Sequence, residues 1–255
     1  MEITLLGFVL GILLLAVPLY ILYAFRINLM QKTLVAFGKM IVWLTVTGFF
    51  LYFVLRWNNL LVNILWTVVM ALAAAVMTVG KARLKSSKYI VPVFVGLITS
   101  SLVIGLFFLF FVVGLKNPFD ARFFIPVISL MIGAMIGVNA NALSVYYSGL
   151  EHHSALYYYL LGNGASHKEA VNYFVRRALQ KAASPWVSSM AYMVVGVAPL
   201  ILWTMLLSGV ALVTAIAYQV LILILLFSTS LVSLLITLQA ARRYSFDEYD
   251  RLKEK

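Results

Sequence analysis

The chain has 255 residues, of which 64% are hydrophobic and only 11% are charged, and its mean hydropathy is +1.03. Soluble domains average about 45–50% apolar and about 25% charged residues, so this composition excludes a water-soluble domain, a disordered chain and a coiled coil. The lack of cysteine excludes disulfides and thiolate chemistry. Membrane topology and contact with anionic lipid are sufficient to explain the net charge of +11, so no nucleic-acid partner is expected.

Apolar residues follow one another in seven long runs. A helix rises about 1.5 Å per residue, so about 20 residues cross a hydrocarbon core of about 30 Å, and each run is long enough to do so. We therefore predict an all-α integral membrane protein with a single transmembrane domain over residues 1–255. The predicted spans lie near residues 3–25, 36–55, 59–79, 89–114, 123–147, 187–208 and 211–239.

The basic residues between the runs predict the orientation. Of the 19 lysines and arginines, only Arg56, Lys116 and Arg122 fall on one side of the predicted membrane. Because loops rich in Lys and Arg stay in the cytoplasm, the N-terminus is predicted outside and the C-terminus inside.

Aspartate, glutamate, lysine and arginine are nearly absent from the runs. The exception is Lys39, near the start of the second run. Proton-coupled carriers keep such groups inside the membrane, and enzymes need catalytic carboxylates or similar groups. No Walker-type glycine–lysine motif occurs either. We therefore expect a non-enzymatic protein without a cofactor or metal of its own, in which energy for any active transport comes from another subunit.

The segment 148–186 between the fifth and sixth spans is unusually long and has its own pattern. An apolar stretch, 155–161, precedes a glycine-rich breaker. Ser166 and Glu169 then form the spacing of a capping box, and the helix that they open is predicted to run to about Ala183, ahead of Pro185. This helix is either an amphipathic element lying on anionic lipid or part of a docking element for a cytoplasmic partner. The docking residues would be Leu156, Tyr157, Leu160, Gly162, Gly164, Ala165, Ser166 and Glu169.

Several short motifs resemble one family of ABC permeases. They include Leu161–Ser166 with Arg176–Leu179, the stretch Gly133–Ala142, and Phe227–Ser233. Together they resemble the FetB-type permeases, which are bacterial iron exporters related to plant aluminium-tolerance permeases. The resemblance covers about residues 30–245. It implies a homodimeric permease in the bacterial inner membrane that exports a metal ion or another small substrate. A separate cytoplasmic ATPase would bind ATP and Mg²⁺ and dock on residues 155–166.

Small and neutral polar residues within the spans are candidates for lining a substrate path, although at helical spacing they can equally serve helix packing. No metal site is predicted, because the three histidines are not joined by acidic or cysteine ligands. The alternative to a permease is a facilitative channel or a membrane scaffold. The path candidates are Ser129, Gly133, Gly137, Asn139, Asn141, Ser188, Gln219 and Ser228.

Overall fold

The computed structural model describes residues 5–84 and 87–246, and within these ranges it contains helices and no strand. The chain divides into two compact units at Trp57 and Asn58. The described α-helices are α1 (Leu5–Leu13), α2 (Ala16–Ala24), α3 (Met30–Trp57), α4 (Leu60–Lys81), α5 (Ile90–Phe107), α6 (Ala121–His152), α7 (Ser154–Gly162), α8 (His167–Ala191), α9 (Leu200–Leu207) and α10 (Leu212–Ser245).

In the first unit, the run 3–25 is not a continuous helix, and its first two residues lie outside the described residues. It forms α1 and α2, separated by a turn at Leu14 and Leu15. Pro18 explains the break, because it has no amide hydrogen to donate and its ring clashes with the carbonyl four residues earlier, at Leu14. The helix α3 contains the whole of the second run and is long enough to cross a membrane.

In the second unit, four helical stretches are long and apolar enough to span a membrane. They are α4, α5 with the short turns that flank it, α6 and α10. With α3 they make five candidate spans among the described residues, which coincide with the predicted runs two, three, four, five and seven. The end of α5 continues as a π-helical turn, Phe108–Val112, before the loop that leads to α6.

The sixth run differs most from the sequence prediction. The helix predicted to end near Ala183 continues through Pro185 to Ala191, so that boundary is wrong. A proline removes one backbone hydrogen bond, but the buried Ala178 and Ala182 keep the preceding turns packed. Residues 192–199 then leave the helical conformation, and the eight-residue α9 follows.

Candidate functional site

A sharp reversal joins α7 to α8, and we call residues 162–169 the corner. Gly164 adopts a φ of +86°, a conformation that costs a glycine little and strains other residues. The amide of Ala165 donates to the carbonyl oxygen of Leu160 at 3.1 Å and closes the end of α7. The predicted glycine-rich break therefore lies where the chain turns.

The capping box predicted at the start of α8 is present. The amide of Ser166 donates to Oε2 of Glu169 at 2.8 Å, and the amide of Glu169 donates to Oγ of Ser166 at 3.3 Å. The Ser166 hydroxyl also lies 2.8 Å from the same carboxylate oxygen. These hydrogen bonds, led by the one from the hydroxyl, hold the pKa of Glu169 below its usual value because they favour the charged carboxylate. The reciprocal bonds fix the first turn of α8.

Tyr157 was predicted to face a partner, but the structure buries it completely. Its hydroxyl lies 2.8 Å from Nδ1 of His167, and its ring is 5.5 Å from that of Phe246, at the end of α10. The ring of Phe246 is also 4.6 Å from that of His167. The prediction for Tyr157 is therefore corrected: its side chain fastens α7 to α8 and α10 and offers no area to another protein.

The remaining docking candidates do reach the surface. Two further tyrosines of the predicted apolar stretch 155–161 lie beside them, Tyr159 at 67% and Tyr158 at 45% exposure. Leu156 and Leu160 are half-buried, as is Ala165, whereas Gly162, Gly164, Ser166 and Glu169 are exposed. We call Leu156, Tyr159, Leu160 and Gly162 the α7 surface. The α7 surface lies next to the corner, and there the ring of Tyr159 is exposed.

The apolar face predicted for α8 is packed inside the protein. Ala170, Val171, Phe174, Ala178 and Ala182 are buried. Gly149 of α6 lies so close to Phe174 that a Cβ on this glycine would be 3.2 Å from the ring. This face of α8 packs against α6 and therefore is not a face that lies on lipid.

A second polar region lies where α5, α6 and α10 meet, and we call Gly96, Asn139, Ser233 and Thr237 the polar junction. The Nδ2 of Asn139 donates to Oγ of Ser233 at 2.9 Å, and both residues are buried. A Cβ on Gly96 would lie 2.7 Å from the Ser233 carbonyl oxygen and would overlap the Thr237 hydroxyl. The absence of a side chain on Gly96 therefore lets α5 and α10 approach closely.

Two buried oxygens of the polar junction have no hydrogen-bond partner among the described residues. They are Oδ1 of Asn139 and Oγ1 of Thr237. Most buried polar atoms in proteins are paired, so such atoms mark a place where a rearrangement or a bound molecule can supply the missing bond. Oδ1 of Asn139 and Oγ1 of Thr237 are therefore available to a bound molecule or to new partners after a helix rearrangement.

The other path candidates do not gather around Asn139. The Ser129 hydroxyl donates to Sδ of Met70 at 3.3 Å, and Oε1 of Gln219 accepts from the Leu202 amide at 3.1 Å, which ties α9 to α10. Gly133, Asn141 and Ser188 are exposed, whereas Gly137 and Ser228 are half-exposed. The prediction thus combined two buried residues, Asn139 and Gln219, with others that are half-exposed or exposed.

Sequence reasoning did not select Gly96 or Thr237. Gly96 and Ser100 form a small-residue pair at a spacing of four, and Thr237 stands four residues after Ser233. Such spacings place residues on one helix face, and they are the sequence pattern that could have indicated Gly96 and Thr237. They do not indicate which helix packs against that face. Within the described residues, no group of three or more His, Cys, Asp or Glu side chains could hold a metal ion.

The chain matches the family described as "Uncharacterised protein family (UPF0014)" over residues 5–246. The chain belongs to the UPF0014 family. No curated protein and no solved structure shows a significant match to it.

The UPF0014 match extends from α1 to the end of α10, so it includes both the corner and the polar junction. Together with five apolar helices long enough to span a bilayer, it makes this chain a multi-pass membrane protein of the family. That architecture is consistent with a transporter permease.

Proposed function

We propose that this chain is the permease subunit of an ABC transporter and that α7 is the element on which a separate cytoplasmic ATPase docks. The observation that carries the proposal is the position of α7. It is a nine-residue helix between α6, of 32 residues, and α8, of 25 residues. A 32-residue helix is about 48 Å long, well beyond a hydrocarbon core of about 30 Å. If the start of α6 lies at the outer face, as the proposed orientation requires, its other end leaves the hydrocarbon core on the cytoplasmic side and carries α7 there.

The construction of the corner suits the transmission of force. Its turn is set by Gly164, and α8 is capped immediately afterwards by Ser166 and Glu169. The buried Tyr157 ties α7 to the rest of the second unit. A partner that pushed on the α7 surface would therefore move α7 together with the helices that hold it.

The complete topology is part of the proposal. We infer seven membrane passes with the N-terminus outside, in which α1 with α2 and the segment formed by α8 and α9 supply two passes as interrupted helices. Glycine- or proline-interrupted spans are common where transporters line their substrate path. Of the cations that support this orientation, Lys85, Arg251, Lys253 and Lys255 lie outside the described residues.

The proposed assembly is a homodimer bound to two ATPase subunits in the bacterial inner membrane. ATP and Mg²⁺ belong to the ATPase, because the sequence of this chain contains no Walker motif. The FetB-like motifs favour export of a metal ion such as iron, or of another small substrate. The polar junction supplies neutral oxygen groups on the inner side of three spanning helices.

The test is co-expression of this chain with the candidate ABC ATPases of the same organism, followed by purification through a tag on this chain. Tyr159→Ala removes an exposed ring, and we expect it to weaken association by about 30-fold, the effect of losing a hot-spot side chain worth about 2 kcal/mol. Leu160→Asp should have at least the same effect. Tyr173→Ala is the matched control, since Tyr173 is an exposed tyrosine on α8, outside the α7 surface.

Unchanged ATPase association and unchanged ATP turnover in both α7 variants would contradict the proposal that the ATPase docks on α7. A folded homodimer that conducts solute without any ATPase would instead support the facilitative channel. Membrane insertion of all three variants, measured by fractionation, separates a docking defect from a folding defect.

A further inference from the structure

An open pocket between α6 and α8 combines two cations with neutral hydrogen-bonding groups. Its volume of about 350 Å³ lies in the range of about 300–1,000 Å³ that is usual for small-molecule sites. The four lining residues from α8 are exposed, so its guanidinium and ammonium groups are accessible to an anion. No carboxylate is among the lining residues, which are Val145, Arg177, Gln180, Lys181 and Ser184.

Four helices of the second unit contain long stretches without aspartate, glutamate, lysine or arginine. These stretches are 60–80 of α4, 90–107 of α5, 123–150 of α6 and 212–241 of α10. In α8, by contrast, exposed cations continue as far as Lys181. Because exposed charged side chains avoid the hydrocarbon core of a bilayer, these cations limit where that core can lie.

The pocket lies at the edge of that core. At one end of α6 the exposed Arg122 precedes the charge-free stretch, and at the other end Arg177 and Lys181 lie beside Val145. Val145 stands 23 residues after Arg122, about 34 Å along α6, whereas the core is about 30 Å thick. The core therefore fits between Arg122 and the pocket, and Arg177 and Lys181 lie at the level of the lipid headgroups.

The face of α8 that carries these cations continues into the core as an apolar face. Phe174 packs against Gly149, one turn beyond Val145, so α8 runs from Phe174 towards the charge-free stretch of α6. Residues 182–191 of α8 include no charged residue. Val187, which is 55% exposed, stands three residues after the last residue of the pocket and thus about one turn deeper on the same face.

We propose that this pocket binds the headgroup of one anionic phospholipid, with its phosphate between Arg177 and Lys181 and an acyl chain along Val187. A guanidinium and an ammonium match a phosphate by charge, and the neutral amide and hydroxyl of the lining supply further donors. The Tyr173 ring centre lies 5.8 Å from the central guanidinium carbon of Arg177, a cation–π contact that orients this side chain. Basic pockets between membrane helices are a usual place for such headgroups.

Native mass spectrometry of the purified full-length protein tests the proposal, with phosphatidylglycerol and phosphatidylcholine of equal chain length added in parallel. We expect selective retention of phosphatidylglycerol. The double variant Arg177→Gln/Lys181→Gln should weaken its retention by about 30-fold, which corresponds to about 2 kcal/mol for two cations near a phosphate. The matched control Lys168→Gln/Arg176→Gln removes two exposed cations of α8 outside the pocket and should retain the lipid as the unaltered protein does.

Two further variants separate lost charge from lost folding and a lipid from free phosphate. Arg177→Lys/Lys181→Arg keeps both charges and should retain phosphatidylglycerol. Val187→Asn alters an exposed side chain outside the pocket and should weaken the phospholipid while leaving binding of inorganic phosphate unchanged. Displacement of the lipid by inorganic phosphate, with lipid retention insensitive to Val187→Asn, would identify a free-phosphate site and overturn the proposal.

Equal retention of the two lipids, or equal retention of phosphatidylglycerol by the double variant and the unaltered protein, would also overturn it. So would loss of the homodimer or of ATPase association in the double variant with unchanged lipid retention, because the pocket would then be a protein contact. The proposal does not rest on the ATPase. Failure of the α7 variants to affect an ATPase leaves these lipid measurements untouched, so the two proposals fail separately.

Discussion

At the corner, hydrogen-bond partners are three to five residues apart in the chain, whereas at the polar junction the paired side chains of Asn139 and Ser233 are 94 residues apart. The corner closes its turn with reciprocal bonds from Ser166 and Glu169. The junction leaves buried oxygens of Asn139 and Thr237 unpaired among the described residues. The comparison indicates that local hydrogen bonds preorganise the corner, whereas the polar junction leaves hydrogen-bonding capacity unused among the described residues.

The largest expected effect concerns the tight packing of the junction. Gly96→Ala adds a Cβ where the Ser233 carbonyl and the Thr237 hydroxyl already lie, so we expect a loss of about 1–3 kcal/mol in unfolding free energy. Gly133→Ala is the matched control, because no described atom lies within 4 Å of its Cβ position. This control should be neutral or up to about 1 kcal/mol more stable, because alanine favours a helix. Thermal unfolding in detergent measures both, and equal shifts would contradict the junction geometry.

A smaller effect should appear as a coupling free energy between the hydrogen-bonded side chains of Asn139 and Ser233. A double-mutant cycle of Asn139→Ala and Ser233→Ala should give a coupling of about 0.6 kcal/mol, and at most about 1.7, as found for hydrogen bonds between membrane helices. The control cycle replaces Ser233→Ala with Ser228→Ala on the same helix, where no hydrogen bond to Asn139 is present in the structure. Urea or heat unfolding of the four variants gives both cycles. A coupling in the control as large as in the main cycle would argue against a specific bond.

The smallest expected effect is the pH dependence of the corner. The pKa of Glu169 is lowered in the folded state, so the stabilisation from its carboxylate is present above the ordinary glutamate pKa of about 4.3. It is lost as the pH falls through the lowered folded value. Hydrogen exchange of the first turn of α8, corrected for intrinsic rates, should show protection that decreases in that acidic range.

Ser166→Ala provides the control for that measurement. It removes the hydroxyl that contributes most to the shift, so the acid-dependent step should shrink and move towards the ordinary glutamate pKa. The loss of the cap should also reduce stability at neutral pH by about 1 kcal/mol. An identical acid-dependent step in both proteins would show that the capping box does not determine the titration.

The contrast between the local hydrogen bonds of the corner and the distant contacts of the polar junction explains what the sequence could predict. The capping box and the glycine turn follow from residues a few positions apart, so their pattern is visible in the sequence. Long apolar runs likewise predicted the five helices that are long and apolar enough to span a membrane, because length and composition decide that property. The direction of each side chain within the bundle depends on other helices. For that reason Asn139 faces the interior while Asn141, two residues later, is exposed.

Tyr157 and Pro185 show the same limit at two other positions. Residues 157–159 are three consecutive tyrosines, and the sequence does not tell which one turns inward towards His167 and Phe246. Pro185 predicted a helix end, but packing of the preceding alanines outweighs the single lost hydrogen bond. In both cases tertiary contacts, which are absent from a local pattern, decide the outcome.

The contact of Phe246 with Tyr157 and His167 connects the end of α10 to α7 and α8. The helix is continuous from Leu212 to Ser245, and Thr237 stands nine residues before Phe246, about 14 Å along the axis. One continuous helix contains Thr237 and ends next to Phe246, so under the proposed coupling an axial movement of that end would also move Thr237. Under the proposed coupling, α10 would connect a movement of α7 to the buried oxygens of the polar junction that have no hydrogen-bond partner among the described residues.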